Sequence, residues 1–212
     1  MPCFDEKYFQ GYDSLKTRKM KEATYRGILD FLNVKPQKGL ALDIGCGFGY
    51  SCGICQELGF SVYGTDISSY ALRQAKKIGK LDNLVVCDAQ KGLPFRIKFD
   101  LVMCFDVLEH LEKPQMAIKY AFEVLKNKGM FVASTPNPFT KSLWNSARSD
   151  STHISLKSAR EWKRILEDCG FSRVSVSVVH FIPVVWRVTG KLSLIKAPET
   201  IGTFILMKAS KL

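Results

Sequence analysis

Short apolar runs alternate along the chain with segments in which apolar residues recur at helical spacing. The apolar runs predict buried strands at 40–44, 61–65, 84–87, 99–105 and 130–134, followed by two later strands at 171–179 and 203–208. The amphipathic segments predict helices at 16–33, 51–58, 69–78, 114–125 and 158–168. Strands that alternate with helices and are apolar throughout are typical of a parallel sheet covered on both faces.

A glycine-rich turn follows the first predicted strand, in the sequence LDIGCGFGY. A strand, such a turn and a helix N-terminus form a nucleotide-binding corner, because backbone N–H groups point out of the turn and glycine admits a close ligand. The spacing is G-x-G-x-G, and Tyr50 stands where a dinucleotide-binding turn has its third glycine. No lysine follows these glycines until Lys76, which disfavours a nucleoside triphosphate.

Four aspartates stand at the ends of predicted strands: Asp43, Asp66, Asp88 and Asp106. The carboxyl ends of parallel strands meet at one edge of a sheet, where the ligands of such folds bind. Four carboxylates would repel a pyrophosphate, but they would suit a ligand that carries positive charge and sugar hydroxyls. S-adenosylmethionine has a sulfonium, an ammonium and a ribose, and it has no phosphate.

The chain resembles the class I S-adenosylmethionine-dependent methyltransferases, and within them the small-molecule subgroup of ubiquinone and menaquinone biosynthesis. The resemblance covers about residues 15–171 and consists of five motifs in order: LDIGCGFG, VYGTDIS, VVCDAQ, FDLVMCFDVLEHL and KNKGMFVASTPNP. It implies a Rossmann-like, seven-stranded, mostly parallel α/β sheet with helices on both faces and an antiparallel edge strand. It also implies S-adenosyl-L-methionine as the cofactor.

The resemblance assigns parts of the cofactor to particular positions. The backbone of the first motif would cradle the amino-acid half, and Asp66, which lies 21 residues beyond Gly45, would accept both ribose hydroxyls. The Asp88 side chain and the Ala89 N–H would bind the adenine. The full set of implied cofactor-binding residues is Asp43, Gly45, Cys46, Gly47, Gly49, Asp66, Ile67, Asp88, Ala89 and Phe105.

Three residues are candidates for the chemistry of methyl transfer, an in-line displacement that often requires a base for the acceptor proton. His153 is the candidate base, and the alternative is a loop histidine that bonds to backbone. His110 is expected to orient the loop after the fourth strand. Asp106 is expected to contact the cofactor amine or to polarise the acceptor, with capping of the following turn as the alternative.

Two kinds of methyltransferase are disfavoured by residues at their expected positions. Enzymes that methylate amino groups of DNA bases carry an Asn/Asp-Pro-Pro-aromatic run after the fourth strand, where this chain has Phe-Asp-Val-Leu at 105–108. Metal-dependent catechol-type enzymes have clustered acidic ligands, and because the sequence shows no clear set we predict no metal site. Cys52 and Cys55 form a C-x-x-C pattern without a second pair, which indicates two small apolar helix residues rather than a zinc or redox site.

Composition indicates the setting of the protein. The length of 212 residues predicts one domain, 1–212, and seven cysteines, an odd number, indicate reduced thiols and a cytoplasmic location. The first ten residues contain no apolar run, so no signal peptide is expected, and no transmembrane segment is expected elsewhere. The formal charge of +11 is dispersed along the chain, which favours solvated helix faces over a nucleic-acid surface.

Two stretches outside the predicted sheet are expected to select the methyl acceptor. One is the N-terminal cap and helix, 1–35, which begins with several aromatic residues, and the other is an apolar insertion at 180–200. The insertion is expected to cover the substrate pocket. A self-packed hairpin and a surface that docks on a membrane or a partner are the alternatives.

We therefore expect an enzyme that transfers the methyl group of S-adenosylmethionine to a small-molecule or lipid-like acceptor, with oxygen as the expected acceptor atom. Three alternatives stay open at this point. One is an RNA methyltransferase that uses the basic surface. The others are a non-catalytic S-adenosylmethionine-binding module that supports a partner enzyme and an oxidoreductase on a similar fold.

Overall fold

The structure, a computed structural model, describes residues 4–10, 14–79, 81–140, 151–182 and 192–212. Its helices are α1 (Leu15–Phe31), α2 (Tyr50–Glu57), α3 (Ser69–Gly79), α4 (Pro114–Val124) and α5 (Ala159–Asp168). Its strands are β1 (Gly39–Ile44), β2 (Phe60–Asp66), β3 (Leu84–Val86), β4 (Phe99–Phe105), β5 (Leu125–Pro136), β6 (Ser172–Ile182), β7 (Ser193–Lys196) and β8 (Phe204–Ser210). Within these ranges, no helix combines the length and the apolar character needed to cross a membrane.

The strands form one sheet in the order β3-β2-β1-β4-β5-β8-β6-β7. Strands β1 to β5 pair in parallel, whereas β8 runs antiparallel to both of its neighbours, β5 and β6. The mostly parallel, Rossmann-like sheet with an antiparallel edge is therefore confirmed. Because the strand order reverses between β1 and β4, their carboxyl ends border the crevice in which open α/β sheets bind ligands.

Apolar residues of the strands pack into two clusters. Helices α1 and α3 contribute Ile28 and Leu72 to one cluster, which also contains Ala41 of β1. Helix α5 contributes Trp162 to the other cluster, which contains Leu42 of β1. Neighbouring residues of a strand point to opposite faces, so the two clusters lie on the two sides of the sheet. Burial on both faces explains why the strands are continuous apolar runs in the sequence.

The described part of the chain has eight strands in the sheet, so the predicted number of seven is wrong. The additional strand, β7, lies inside the predicted insertion at 180–200 and pairs antiparallel with the end of β6, from Val179 opposite Lys196 to Ile182 opposite Ser193. Leu194 of β7 packs against the cluster that contains α1. A strand of four residues carries too little periodicity to be recognised from sequence. Residues 183–191 of the insertion lie outside the described residues.

Strand β5 is longer than predicted, because it begins at Leu125 directly after α4 rather than at residue 130. Leu125 is buried and pairs with Phe99 of β4. The pairing register shifts after Phe99, and Lys128 nearby has a left-handed φ of 63°. Gly129, which follows this residue, belongs to the strand, and a Cβ there would lie 2.8 Å from the Lys126 carbonyl oxygen.

Candidate active site

The glycine-rich turn joins β1 to α2 and holds three glycines in left-handed conformations. Their φ angles are 71° at Gly45, 54° at Gly47 and 77° at Gly49. A Cβ at Gly45 would overlap Val107, and a Cβ at Gly49 would overlap Leu81, so packing excludes side chains at both positions. A Cβ at Gly47 would meet no atom closer than 4.0 Å. The turn therefore leaves open space next to Gly47, where a ligand can approach the backbone.

Most backbone N–H groups of this turn have acceptors inside the protein. The N–H groups of Gly45 and Cys46 donate to one carbonyl oxygen of β2, at 2.7 and 2.9 Å, and the Gly49 N–H donates to the Cys46 carbonyl oxygen at 2.8 Å. The Gly47 N–H donates to Asp66 Oδ2 at 2.8 Å. These bonds fix the turn to the end of β2, and they engage four of its N–H groups.

Asp66 ends β2 and connects the turn to the start of α3. Its Oδ2 accepts the Gly47 N–H and its Oδ1 accepts the Ser68 N–H, both at 2.8 Å. Burial raises the pKa of the Asp66 carboxyl, and the backbone donors oppose that rise. Each carboxylate oxygen can accept more than one hydrogen bond. The two oxygens therefore retain capacity for the pair of ribose hydroxyls that the resemblance assigns to this residue.

Asp43 lies near the end of β1 and is almost fully buried. Its Oδ2 accepts a hydrogen bond from the Ser51 hydroxyl and another from the Cys52 thiol, whose Sγ lies 3.3 Å away. Burial raises the pKa of Asp43 to about 7, and these two hydrogen bonds act in the opposite direction. Asp43 therefore connects β1 to the start of α2 through these two hydrogen bonds.

A cavity of about 920 Å³ opens beside the glycine-rich turn, within the size range of small-molecule sites. All the predicted cofactor-binding residues line this cavity except Gly49, which is the N-cap residue of α2. Ile67 lines the cavity next to Asp66 and is 39% exposed although it is apolar. The predicted adenine residues, Asp88 and Ala89, follow β3 and line the same cavity.

Asp106 follows β4 in a left-handed conformation, with φ of 55°. Its Oδ1 accepts the Ser134 hydroxyl at 2.7 Å, and its N–H donates to the Ser134 carbonyl oxygen at 3.0 Å. Its Oδ2 lies 3.8 Å from Lys21 Nζ of α1. Asp106 is thus held between β5 and α1, and it lines the cavity.

Glu109, His110 and His153 converge on the cavity, although 43 residues separate the two histidines in the sequence. The centroids of the two imidazole rings are 4.9 Å apart. His110 Nδ1 lies 3.1 Å from the Thr152 carbonyl oxygen and 3.0 Å from the Thr152 hydroxyl. These contacts hold one imidazole beside another, an arrangement that can accept a proton from a bound hydroxyl.

The same three side chains offer two ring nitrogens and one carboxylate oxygen, all within 4.8 Å of one another. Imidazole and carboxylate ligands of this spacing suit a divalent transition metal. The predicted absence of a metal therefore stays a prediction. The sequence showed no clear ligand set because His153 is distant from the Glu109-His110 pair along the chain.

Two charged residues of the cavity were missed in the sequence. Glu109 is only 1% exposed, and its place next to His110 after the fourth strand is the sequence signal that could have identified it. Lys21 lies in α1 among several other lysines and arginines, and nothing in the sequence distinguishes it from them.

Both stretches that are expected to select the acceptor contribute to the cavity. In the N-terminal segment, the ring centroids of Phe4 and Tyr8 lie 5.5 and 6.5 Å from that of His110. Near the hairpin of β6 and β7, the lining residues are His180, Phe181 and Leu192. The structure thus brings the start of the chain and the described parts of the insertion to one site.

The site combines a mostly parallel sheet, a glycine-rich turn after β1 and a carboxylate at the end of β2. These features are typical of a site for a nucleoside cofactor that carries no phosphate. S-adenosylmethionine fits this site, because Asp66 offers paired acceptors for a ribose and the wall is rich in carboxylates for a cationic ligand. A sequence profile described as a methyltransferase domain matches residues 16–176, and the chain belongs to this family. The family and cofactor predicted from the five motifs are therefore confirmed.

Ubiquinone biosynthesis O-methyltransferases are among the relatives of the chain. It is 36% identical over 100 residues to the mitochondrial protein of Schizosaccharomyces pombe. This match covers 44% of this chain and 36% of the Schizosaccharomyces pombe protein. It is 34% identical over 104 residues to the protein of Bradyrhizobium diazoefficiens. This match covers 48% of this chain and 41% of the Bradyrhizobium diazoefficiens protein. The matched segment therefore spans less than half the length of these curated relatives.

Solved methyltransferases share the fold over nearly the whole chain. A SAM-dependent methyltransferase from Archaeoglobus fulgidus has a TM-score of 0.74 at 24% identity and covers 96% of this chain and 99% of that one. Phosphoethanolamine N-methyltransferase 2 from Haemonchus contortus, solved in complex with S-adenosyl-L-methionine, has a TM-score of 0.67 at 15% identity and covers 100% of this chain and 60% of that one. At these identities the likeness establishes the fold.

Proposed function

We propose that the protein transfers the methyl group of S-adenosylmethionine to a hydroxyl oxygen of a small-molecule or lipid-like acceptor that carries an aromatic ring. The observation that carries this proposal is the His110–His153 pair, which lines the same cavity as the cofactor residues. A hydroxyl must lose a proton to become a strong nucleophile, so a base is needed at the site. The aromatic rings of Phe4 and Tyr8 near His110 favour an aromatic acceptor.

The names of the relatives support oxygen as the acceptor atom, because the matched proteins from Schizosaccharomyces pombe and Bradyrhizobium diazoefficiens are O-methyltransferases. Each match covers less than half of this chain and less than half of the relative. The identity of the acceptor is therefore argued from the cavity wall of this chain and not from those relatives.

When bound, S-adenosylmethionine supplies a methyl group on a sulfonium centre that is activated for in-line displacement. Asp66 binds the ribose hydroxyls and fixes the position of the cofactor. A ring nitrogen of His153 takes the proton of the acceptor hydroxyl, and His110, held by Thr152, keeps the neighbouring ring in place. Phe4 and Tyr8 shield this side of the cavity from water, which favours the acceptor oxygen as the nucleophile.

The acceptor class can be tested with S-adenosylmethionine labelled in its methyl group. The panel would contain a catechol, a phenol with a prenyl chain, an aromatic amine and total tRNA, and mass spectrometry would locate the label. We expect methyl ethers of the phenolic compounds. Label on the amine or on RNA alone would contradict the proposed acceptor atom. Cofactor binding without transfer to any compound would favour the non-catalytic module.

The role of His153 leads to a specific prediction. The His153→Gln variant should lose about 100- to 10,000-fold in kcat, because general-base catalysis contributes a factor of this size. Calorimetry with S-adenosylhomocysteine serves as the control, since the affinity should not change. A variant with normal kcat would show that another group takes the proton.

A further inference from the structure

One part of the cavity contains none of the predicted cofactor-binding residues. It is formed by the end of β6, the segment before β7 and the start of β8, and its described lining residues are His180, Phe181, Leu192, Thr203 and Phe204. None of these five residues is a lysine, an arginine, an aspartate or a glutamate. A ligand group on this β6–β8 wall is therefore expected to be uncharged, because a charge would lack a counter-charge there.

The two polar side chains of the β6–β8 wall differ in their hydrogen-bond partners. Thr203 Oγ1 donates to the Val179 carbonyl oxygen at 3.5 Å. His180 Nδ1 is shielded from solvent and has no hydrogen-bond partner among the described residues. Buried polar atoms are nearly always hydrogen-bonded, and an unpaired one is costly. His180 is therefore the position on this wall at which a bound molecule can supply a missing hydrogen bond.

The backbone of His180 is fixed by pairing on both sides of β6. The preceding residue, Val179, pairs with Phe204 of β8, and His180 itself pairs with Ile195 of β7. The Thr203 N–H donates to the Val179 carbonyl oxygen at 2.8 Å. A side chain on such a strand is held more precisely than one on a loop. His180 is therefore suited to distinguish ligands by the position of one polar atom.

His180 lies at a distance from the proposed site of methyl transfer. The ring of His153, the proposed base, lies 4.9 Å from that of His110, which follows β4. Strands β5 and β8 separate β4 from β6, so the backbones of β4 and β6 are about 14 Å apart, at about 4.8 Å per strand. An acceptor whose hydroxyl lies at His153 must therefore extend beyond its methylated ring to reach His180.

We propose that His180 binds a second hydroxyl of the acceptor, remote from the hydroxyl that is methylated, and selects acceptors by that group. A hydroxyl can both donate and accept, so it can pair with Nδ1 in either tautomer of the ring, whereas a carbonyl can pair with only one. The neighbouring side chains of Phe181, Leu192 and Phe204 are apolar and offer no competing partner. This inference rests on the proposed function, because it concerns the acceptor of the same reaction.

Two series of phenols isolate the contribution of the second hydroxyl. One series carries para n-alkyl chains of increasing length, and the other carries the same chains with a terminal hydroxyl. Calorimetry on the complex with S-adenosylhomocysteine gives the affinities, and S-adenosylmethionine labelled in its methyl group reports transfer.

At one chain length, the wild type should bind the terminal hydroxyl compound about 3- to 10-fold more tightly than its alkyl counterpart, as expected for one hydrogen bond. At other lengths the alkyl compound should bind more tightly, because a buried hydroxyl without a partner is costly. The His180→Leu variant should prefer the alkyl compound at every length. His180→Asn, whose amide lies close to the position of Nδ1, should keep part of the preference for the hydroxyl.

The matched control is Ile195→Thr, which changes the partner of His180 in β7 but none of the described residues that line the cavity. It should show the preference of the wild type, so a disturbance of the β6–β7 pairing would be detected. A wild type that prefers the alkyl compound at every length would overturn the inference, as would a His180→Leu variant that keeps the preference for the hydroxyl. Methyl ethers from both series without such a preference would overturn the inference and leave the proposed function standing. Preferential binding of one hydroxyl compound without any methyl ether would support the inference and contradict the proposed function.

Discussion

Asp66 connects three parts of the site through a single carboxylate: the end of β2, the glycine-rich turn and the start of α3. Replacement by alanine removes the acceptors for the ribose and also those for the Gly47 and Ser68 N–H groups. We expect Asp66→Ala to weaken the binding of S-adenosylmethionine by about 2–4 kcal/mol, or roughly 30- to 1,000-fold, on the scale of charged hydrogen bonds.

Calorimetric titration of Asp66→Ala and the wild type with several adenosine ligands measures this loss of affinity. Because the ribose is common to all adenosine ligands, Asp66→Ala should also weaken 5′-methylthioadenosine. Asp66→Asn keeps one carbonyl acceptor and should show an intermediate loss. Affinities equal to those of the wild type would exclude Asp66 as the ribose ligand.

Asp43 makes the stability of the protein depend on pH. Burial raises the pKa of its carboxyl to about 7, whereas the ordinary value is 3.8. Between these values the folded protein keeps a proton that the unfolded chain releases, so the free energy of unfolding falls as pH rises, and the loss is complete above pH ~7. Below pH ~4 both states are protonated, and the stabilising effect is fully present.

The Asp43→Asn variant removes this titration while keeping the shape of the side chain. From pH 4 to pH 7, its free energy of unfolding should rise relative to that of the wild type by as much as about 4 kcal/mol. Urea unfolding at several pH values in this range measures the difference. Curves that stay parallel for the two proteins would show that Asp43 titrates alike in the folded and unfolded states.

At the scale of elements, α1 and the segment before β7 meet at a close contact between Gly27 and Leu192. Alanine substitutions at two helical glycines, Gly27 of α1 and Gly53 of α2, test how tightly this contact is packed. Gly27→Ala places a methyl group 2.9 Å from the Leu192 carbonyl oxygen, whereas Gly53 of α2 has no atom within 4 Å of such a group. Alanine gains about 1 kcal/mol over glycine in a helix, and overpacking loses about 1–3 kcal/mol.

We therefore expect Gly27→Ala to lower the free energy of unfolding by about 1 kcal/mol and Gly53→Ala to raise it by up to about 1 kcal/mol. Chemical denaturation of the two variants beside the wild type gives both values. Gly27→Ala should also weaken cofactor binding, because α1 must move. Stabilisation by both substitutions would show that α1 tolerates displacement from this segment.

The elements of the sheet differ in how far the sequence could define them. Strands β1 and β4 are buried on both faces over most of their length, so each is an apolar run with a clear end. Strand β7 is only four residues long and alternates little, and its strand character comes from pairing with β6. The early start of β5 likewise depends on the pairing of Leu125 with Phe99. Local periodicity cannot carry such pairing information.

At the scale of the whole molecule, the site was predictable where topology alone decides the position. Parallel strands place their carboxyl ends at one edge, so the turn and the strand-end aspartates could be assigned to one cavity from the sequence. The meeting of Lys21 with Asp106, and of His153 with Glu109, depends on how distant segments pack over that edge. Such contacts follow from the tertiary structure and leave no pattern in the sequence.

The internal hydrogen bonds of the glycine-rich turn also bear on repeated turnover. Four of its N–H groups donate to acceptors of the protein itself, so departure of the product leaves none of these four without a partner. The turn therefore keeps its conformation between one catalytic cycle and the next. Each new cofactor molecule meets a surface that is already shaped, and exchange of product for cofactor requires no refolding of this loop.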